Sequence, residues 1–239
     1  MAAGEKLSVA MHGVRLVLSS ESPEFLHWAR MVLEPFVLDD TPAADIVSRL
    51  EWVDGPVAPN LARAFGVNHW ERRPDRDVYL AGGTLWWLRV DEFPPFHMAA
   101  SWADGRLTVT GRYYFRLGSS LEWLRRLRHR RRLPQLRAHR FSTLLYYLVY
   151  YPILWRLTRF HGLHLAHGAA VALPGGGSAV FFGMPGCGKS TLAVSLLGDP
   201  GVRMLSDNLI LYDGASVAAC PELLLLDRAS IARIPGEAR

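Results

Sequence analysis

The most constraining feature of this sequence is a glycine-rich turn between an apolar run and an amphipathic helix pattern. The apolar run covers 178–182, and the helix pattern covers 189–197 and ends at Gly198. Between them, residues 183–190 read Gly-Met-Pro-Gly-Cys-Gly-Lys-Ser and fit G-x-x-x-x-G-K-[ST] in full. A strand, a phosphate-binding turn and a helix in this order predict an α/β core.

The residue types in this turn suit a bound triphosphate. Glycines adopt backbone angles that other residues avoid and let backbone amides approach phosphate oxygens. Lys189 offers a compact positive charge to the β- and γ-phosphates, and Ser190 offers a hydroxyl ligand to Mg²⁺. We therefore expect ATP and Mg²⁺ as cofactors, the alternative being a turn without a ligand. The predicted binding residues are Gly183, Met184, Pro185, Gly186, Cys187, Gly188, Lys189, Ser190 and Thr191.

Two further polar residues are predicted near this turn. Asp207 follows the strand pattern 202–205 and comes 18 residues after Lys189, which suits the strand immediately after the helix. There it can bind Mg²⁺ or accept the proton of an attacking hydroxyl, and an ordinary turn aspartate is the alternative. His167 lies in the strand pattern 166–173. A hairpin between this strand and the strand before the glycine-rich turn would bring His167 towards one end of the sheet, and a purely structural histidine is the alternative.

Residues 1–118 predict a separate small α+β domain dominated by antiparallel strands. A helix pattern covers 23–36 after Ser22, a favourable helix cap. Residues 103–106, Ala-Asp-Gly-Arg, are typical of a hairpin. The strand patterns cover 7–18, as one or two strands, and then 45–53, 77–81, 84–90, 96–102 and 106–115.

Residues 119–163 predict a basic and apolar helical connector, followed by a nucleotide-binding domain at 164–239 with a short C-terminal stretch. From Arg112 to Arg159 there are 12 arginines and one acid, whereas the whole chain has a net charge of +5. Residues 119–132 predict an arginine-rich helix ended by Pro134. Residues 141–155 predict a buried helix, shorter than the roughly 20 residues that cross a bilayer.

The basic segment 119–159 leaves several partners open. A solvated or interdomain face, an acidic peptide and an anionic membrane surface are the alternatives. Nucleic acid is disfavoured because no helix-turn-helix, zinc-finger or RNA-binding motif accompanies the arginines. Two cysteines cannot form a disulfide framework, and residues 1–6 lack a signal-peptide core, so we expect a cytoplasmic protein, at most peripheral to the inner membrane surface.

The combination of His167-Gly168, the 183–190 turn and Leu205-Ser206-Asp207-Asn208 resembles the bacterial HPr kinase/phosphorylase family, and more closely its relatives in gene clusters for modified and lasso peptides. The resemblance covers about 164–213. It implies a serine kinase whose P-loop core is related to phosphoenolpyruvate carboxykinase. It also implies that His167 lies near the phosphates and that Asp207 is the proposed base. Asn208 stands where the family has a second Asp, and the family's Glu-Arg-Gly signature has no match.

Three functions follow from these observations. The first is an ATP-dependent kinase that transfers the γ-phosphate to a serine hydroxyl of a peptide or protein. The second is a nucleotide-binding regulator with little or no catalysis, favoured by Asn208 and the short C-terminal stretch. The third is a small-molecule kinase or simple NTPase. The predicted catalytic residues are Asp207, His167 and Lys189, with Ser190 and Asp207 as metal ligands.

Overall fold

The computed structural model describes residues 5–40, 43–57, 72–75, 77–90, 95–115, 133–184 and 186–220, with the backbone alone for 72–75 and 133–136. The chain forms two compact units, Met1–Ile153 and Leu154–Arg239. Both units that the structure describes contain strands and helix. The predicted arginine-rich helix at 119–132 and the residues after 220 lie outside the described residues.

A nine-stranded sheet forms the frame of the first unit. Its order is β3-β1-β2-β4-β9-β8-β7-β6-β5. Most neighbours are antiparallel, as predicted, but β4 runs parallel to both β2 and β9. The strands are β1 (Glu5–Met11), β2 (Val14–Ser20), β3 (Val37–Leu38), β4 (Ile46–Asp54), β5 (Arg72–Asp75), β6 (Val78–Ala81), β7 (Thr84–Trp87), β8 (Phe96–Ala103) and β9 (Arg106–Phe115).

Local sequence explains the hairpins and the first helix of this unit. The segment 7–18, predicted as one or two strands, forms two, β1 and β2, joined by a turn in which His12 has φ 47° and Gly13 has φ 84°. Asp104 and Gly105 both have positive φ and close the predicted β8–β9 hairpin. Helix α1 covers Pro23–Val32, and Ser22 caps it by accepting a hydrogen bond from the Phe25 amide.

The structure describes a long helical stretch from Leu133 onward, and Pro134 lies within it. It comprises α2 (Leu133–Leu145), a π-helical turn (Tyr146–Tyr150), α3 (Tyr151–Arg156) and a second π-helical turn (Leu157–His161). Buried side chains of 141–150 pack within the first unit. The Ser48 hydroxyl of β4 donates to the Leu148 carbonyl at 2.6 Å. No helix among the described residues has the length and apolarity needed to span a bilayer.

A buried histidine makes the first unit sensitive to acid. The side chain of His97 in β8 is fully buried, and its Nδ1 accepts a hydrogen bond from the Arg89 amide at 2.9 Å. Burial lowers the pKa of His97 to about 4, and the charges of Arg112 and Arg89 act in the same direction. The ring is therefore neutral at pH 7.

We expect the first unit to lose stability as the pH falls from about 6.5 to about 4. In this window the unfolded chain protonates His97 while the folded chain does not, so protons favour the unfolded state, by about 3 kcal/mol at the lower limit. Urea unfolding followed by tryptophan fluorescence measures this loss. His97→Asn keeps a hydrogen-bond acceptor but does not titrate. An unfolding free energy with the same pH dependence in both proteins would contradict the assignment.

Among its described residues, the second unit contains the end of the long helical stretch, two three-stranded sheets and one further helix. One sheet has the order β10-β14-β15 and the other β12-β11-β13, and all pairs are antiparallel. Helix α4 covers Lys189–Leu196, and Ala193 packs against Ala169 and Val171. The strands are β10 (His164–His167), β11 (Ala169–Ala172), β12 (Ser178–Phe181), β13 (Arg203–Ser206), β14 (Leu209–Tyr212) and β15 (Val217–Ala219).

The prediction of one continuous strand over 166–173 is wrong, because the chain passes from one sheet to the other at Gly168. His167 ends β10 and lies opposite Leu209, whereas Ala169 begins β11 and lies opposite Phe181. A side chain at Gly168 would meet backbone: a Cβ atom there would lie 2.8 Å from the Phe181 carbonyl oxygen. The crossing between sheets therefore requires glycine.

Candidate functional site

Strand direction brings the predicted site residues to one edge of the β12-β11-β13 sheet. Strands β12 and β13 are both antiparallel to the central β11, so they run in the same direction. Their last residues, Phe181 and Ser206, lie opposite Ala169 and Ala170 at the start of β11. The glycine-rich turn follows β12 and Asp207 follows β13. Both segments therefore leave the sheet at the edge where Gly168 enters it.

The turn has the backbone that its glycines predict. Gly183, Gly186 and Gly188 have φ of 151°, 81° and 91°. A Cβ atom at Gly183 would lie 2.7 Å from the sulfur of Cys187, so a side chain at this position would displace that exposed thiol. Cys187 is exposed, and its amide donates to the Met184 carbonyl at 3.2 Å. Pro185 lies outside the described residues.

Lys189 lies at the start of α4 and folds back over the turn. Its Nζ donates to the Gly183 carbonyl at 2.8 Å and to the Met184 carbonyl at 3.0 Å. Gly188 precedes the helix in the left-handed conformation, and no side chain among the described residues caps the helix start. The turn thus combines a lysine ammonium with a helix N-terminus, an arrangement that favours anions.

Ser190 and Asp207 are in direct contact. The Ser190 hydroxyl donates to Oδ1 of Asp207 at 2.6 Å, and both side chains are half-buried. The two residues come from the helix after the turn and from the end of β13, so they are 17 positions apart in sequence. Thr191 is half-buried in the first turn of α4.

Asp207 lies in the corner between β13 and β14, residues 206–209, and neighbouring residues stabilise this corner. Asn208 has φ 74°, a left-handed conformation that asparagine tolerates better than most residues. Ser206 is buried, and its hydroxyl bridges the corner to the residue after β15: it lies 2.7 Å from the Cys220 carbonyl and 3.3 Å from the Cys220 amide, and it also contacts the Leu209 carbonyl. Sequence reasoning missed Ser206 and this role of Asn208. A buried serine next to an acid at a strand end is the signal that was available.

His167 reaches the same corner through the backbone. Its strand partner is Leu209, and the amide of the next residue, Gly168, donates to the Asn208 carbonyl at 3.1 Å. The His167 side chain is exposed. The structure therefore brings together the turn, Lys189, Ser190 and Asp207 by side-chain geometry, whereas it places His167 near Asp207 only through backbone pairing.

Asp213 stabilises the turn after β14 and lies apart from this corner. Its carboxylate accepts hydrogen bonds from the amides of Ala215 and Ser216 and from the Ser216 hydroxyl. The Ala215 amide, followed by the Ser216 amide and hydroxyl, lowers the pKa of Asp213. This carboxylate is therefore occupied in shaping the β14–β15 turn.

The donor set suits a magnesium ion that is shared with phosphates. Within the described residues, no group of three or more His, Cys, Asp or Glu side chains is placed to hold a metal. One hydroxyl and one carboxylate are nevertheless what Mg²⁺ typically takes from a protein when phosphate oxygens and waters complete its shell. Ser190 and Asp207 fit this requirement.

Comparison with known proteins adds no relative: no protein-family model matches the chain, and no curated protein matches it.

Proposed function

We propose that this protein is an ATP-dependent phosphotransferase that uses a serine hydroxyl of a peptide or protein as acceptor. The observation that carries the proposal is the 2.6 Å contact between Ser190 and Asp207 beside a complete phosphate-binding turn. A turn of this kind would bind the phosphates of a nucleotide. The Asp207 carboxylate beside Ser190 adds a group that can accept the proton of an acceptor hydroxyl.

In this proposal the glycine-rich turn and Lys189 bind the phosphates of ATP. The amides of 186–190 and the start of α4 would surround the phosphates with partial positive charge. For Lys189 to contact the phosphates, its ammonium exchanges the Gly183 and Met184 carbonyls for phosphate oxygens. The same ammonium is then available to neutralise charge that develops during transfer.

Asp207 has two roles in this proposal. Together with Ser190 it would hold Mg²⁺, which when bound neutralises charge on the phosphate oxygens. Asp207 also orients the acceptor hydroxyl and takes its proton as the acceptor oxygen bonds to the γ-phosphorus and the bond to the β-phosphate oxygen breaks. ADP and the phosphorylated acceptor are the products. His167 is a candidate for a further contact to the phosphates.

The acceptor class rests on the resemblance of 164–213 to HPr-kinase-like proteins. The runner-up is a nucleotide-binding regulator with little catalysis. The observation in its favour is Asn208. Its left-handed backbone shapes the corner, and its backbone carbonyl accepts a hydrogen bond from the Gly168 amide. Its side-chain amide cannot accept a proton, as a second carboxylate could. A small-molecule kinase or simple NTPase would use the same turn with another acceptor.

One assay separates these functions. The purified chain is incubated with Mg²⁺ and γ-labelled ATP, with serine-containing peptides and proteins, with small hydroxylated metabolites, and alone. We expect acid-stable label on serine and little free phosphate without an acceptor. Nucleotide binding without transfer or hydrolysis would establish the regulator, label on small molecules would establish the third function, and an absence of nucleotide binding would overturn all three.

A further inference from the structure

Two exposed apolar side chains flank Gly183, the first glycine of the phosphate-binding turn. Phe182 and Met184 are 63% and 77% exposed, which makes them the two most exposed large apolar side chains that the structure describes. We propose that these two residues, the apolar pair, bind an apolar side chain next to the acceptor serine of a peptide or protein substrate. This inference rests on the proposed function, which supplies the acceptor.

The Phe182 ring lies at the same edge of the sheet as the corner that carries Asp207. A Cβ atom at Gly168 would lie 3.3 Å from Cδ1 and 3.4 Å from Cε1 of the ring, so the ring packs against this glycine. The Gly168 amide in turn donates to the carbonyl of Asn208, the neighbour of Asp207, at 3.1 Å. Because consecutive Cα atoms are about 3.8 Å apart, a peptide whose serine reaches Asp207 brings its next residue towards the ring.

The position of the ring favours the acceptor over the base of ATP. In the proposed function Ser190 and Asp207 mark the γ-phosphate end of the nucleotide, because the metal bridges the β- and γ-phosphates and the acceptor attacks the γ-phosphate. The adenine base is attached at the other end, beyond the α-phosphate. Phe182 contacts the Asp207 corner through Gly168, so it lies at the end where the acceptor enters.

The chemistry of the apolar pair selects an apolar partner. Phe181 packs against the buried cluster that includes Ala193 of α4, whereas the core leaves the next residue, Phe182, in solvent. A phenyl ring and a thioether gain from contact mainly by removing apolar surface from water. Methionine adapts its shape to different partners, and the ring offers a rigid surface. The pair therefore favours an aliphatic or aromatic residue beside the serine over glycine or a charged residue.

Phosphate transfer to a set of matched peptides tests the proposal. Each peptide carries one serine flanked on both sides by leucine, phenylalanine, glycine or glutamate, and kcat/KM is measured for each with γ-labelled ATP. We expect the wild type to prefer the leucine and phenylalanine peptides about tenfold over the glycine peptide, the scale of burying one apolar side chain. Phe182→Ala should remove most of this preference, and Phe182→Leu should retain it.

Leu173→Ala is the matched control, because Leu173 is also an exposed apolar residue but follows β11 at the opposite edge of the same sheet. It should keep the peptide preference of the wild type. Calorimetry measures the affinity for MgATP, which Phe182→Ala should leave unchanged. Equal transfer to all peptides by the wild type would overturn the proposal. A Phe182→Ala variant that loses MgATP affinity but keeps the peptide preference would also overturn it and would assign the ring to the nucleotide.

A binding measurement separates this proposal from the proposed reaction. Fluorescein-labelled peptides with alanine in place of serine are titrated with the full chain, loaded with Mg²⁺ and a non-hydrolysable ATP analogue, and anisotropy is recorded. Tighter binding of the leucine peptide that Phe182→Ala abolishes would support the apolar pair even without transfer, in which case only the reaction fails. Equal binding of all peptides, or binding of none, would overturn the apolar pair while measured transfer still supported the reaction.

Discussion

Replacement of Asp207 by asparagine should lower phosphoryl transfer about 10²- to 10⁴-fold, the range that a general base contributes. The amide still offers an oxygen to the Ser190 hydroxyl, so the corner after β13 should keep its geometry. It cannot take a proton from the acceptor. Transfer should therefore fall far more than the affinity for MgATP, and single-turnover transfer with calorimetric binding measures the two separately.

The control for this experiment is Asp199→Asn. Asp199 carries the same charge as Asp207 but is exposed in the loop between α4 and β13, 10 rather than 18 residues after Lys189. It should transfer phosphate at the wild-type rate. Wild-type transfer by Asp207→Asn would remove Asp207 from the role of base. An equal loss of transfer and of Mg²⁺-dependent binding would restrict Asp207 to the metal.

Replacement of Lys189 by alanine should lower transfer about 10²- to 10³-fold and weaken ATP binding as well. The ammonium now lies on the Gly183 and Met184 carbonyls, so its removal deletes the one lysine charge at the turn. Arginine should not restore the rate, because its planar guanidinium is wider and carries its charge differently from an ammonium. Initial rates over a range of ATP concentrations measure both effects.

The chain provides its own control for the lysine, because Lys6 in β1 is the second of only two. Lys6→Ala removes the same charge from the first unit and should leave transfer unchanged. If Lys189→Ala retained wild-type transfer and affinity, the turn would not be the phosphate site. If Lys6→Ala lowered the rate equally, net charge rather than position would be responsible.

Local patterns predicted most of the elements that bear the site. The glycines of the turn, the helix that begins at Lys189 and the strand end before Asp207 depend on neighbours within a few residues, and backbone preference decides them. The helix after Ser22 and the β8–β9 hairpin were predicted for the same reason. The actual α-helix ends at Val32 and a 3₁₀ turn, Glu34–Phe36, follows it, since Pro35 cannot continue the hydrogen-bond ladder.

Pairing between strands that are far apart in sequence decided which site residues come into contact, and local patterns could not predict this. The sequence places an acid after β13 and a hydroxyl in α4, and only the shared direction of β12 and β13 brings the two within 2.6 Å. The change of sheets at Gly168 was missed because it depends on the Phe181 carbonyl, which comes from a strand 13 residues away. In the same way, the parallel position of β4 between β2 and β9 depends on pairing between strands that are far apart in sequence.

The glycine-rich turn, the charge asymmetry and the order of strands and helices are thus properties of the amino-acid sequence, because they arise from the preferences of single residues and their close neighbours. The partner of each site residue was decided by the tertiary structure, because strand pairing and packing join atoms that are far apart along the chain. This is why Asp207 could be chosen as a candidate from its strand end, whereas its contact with Ser190 and the support from Ser206 required the folded chain.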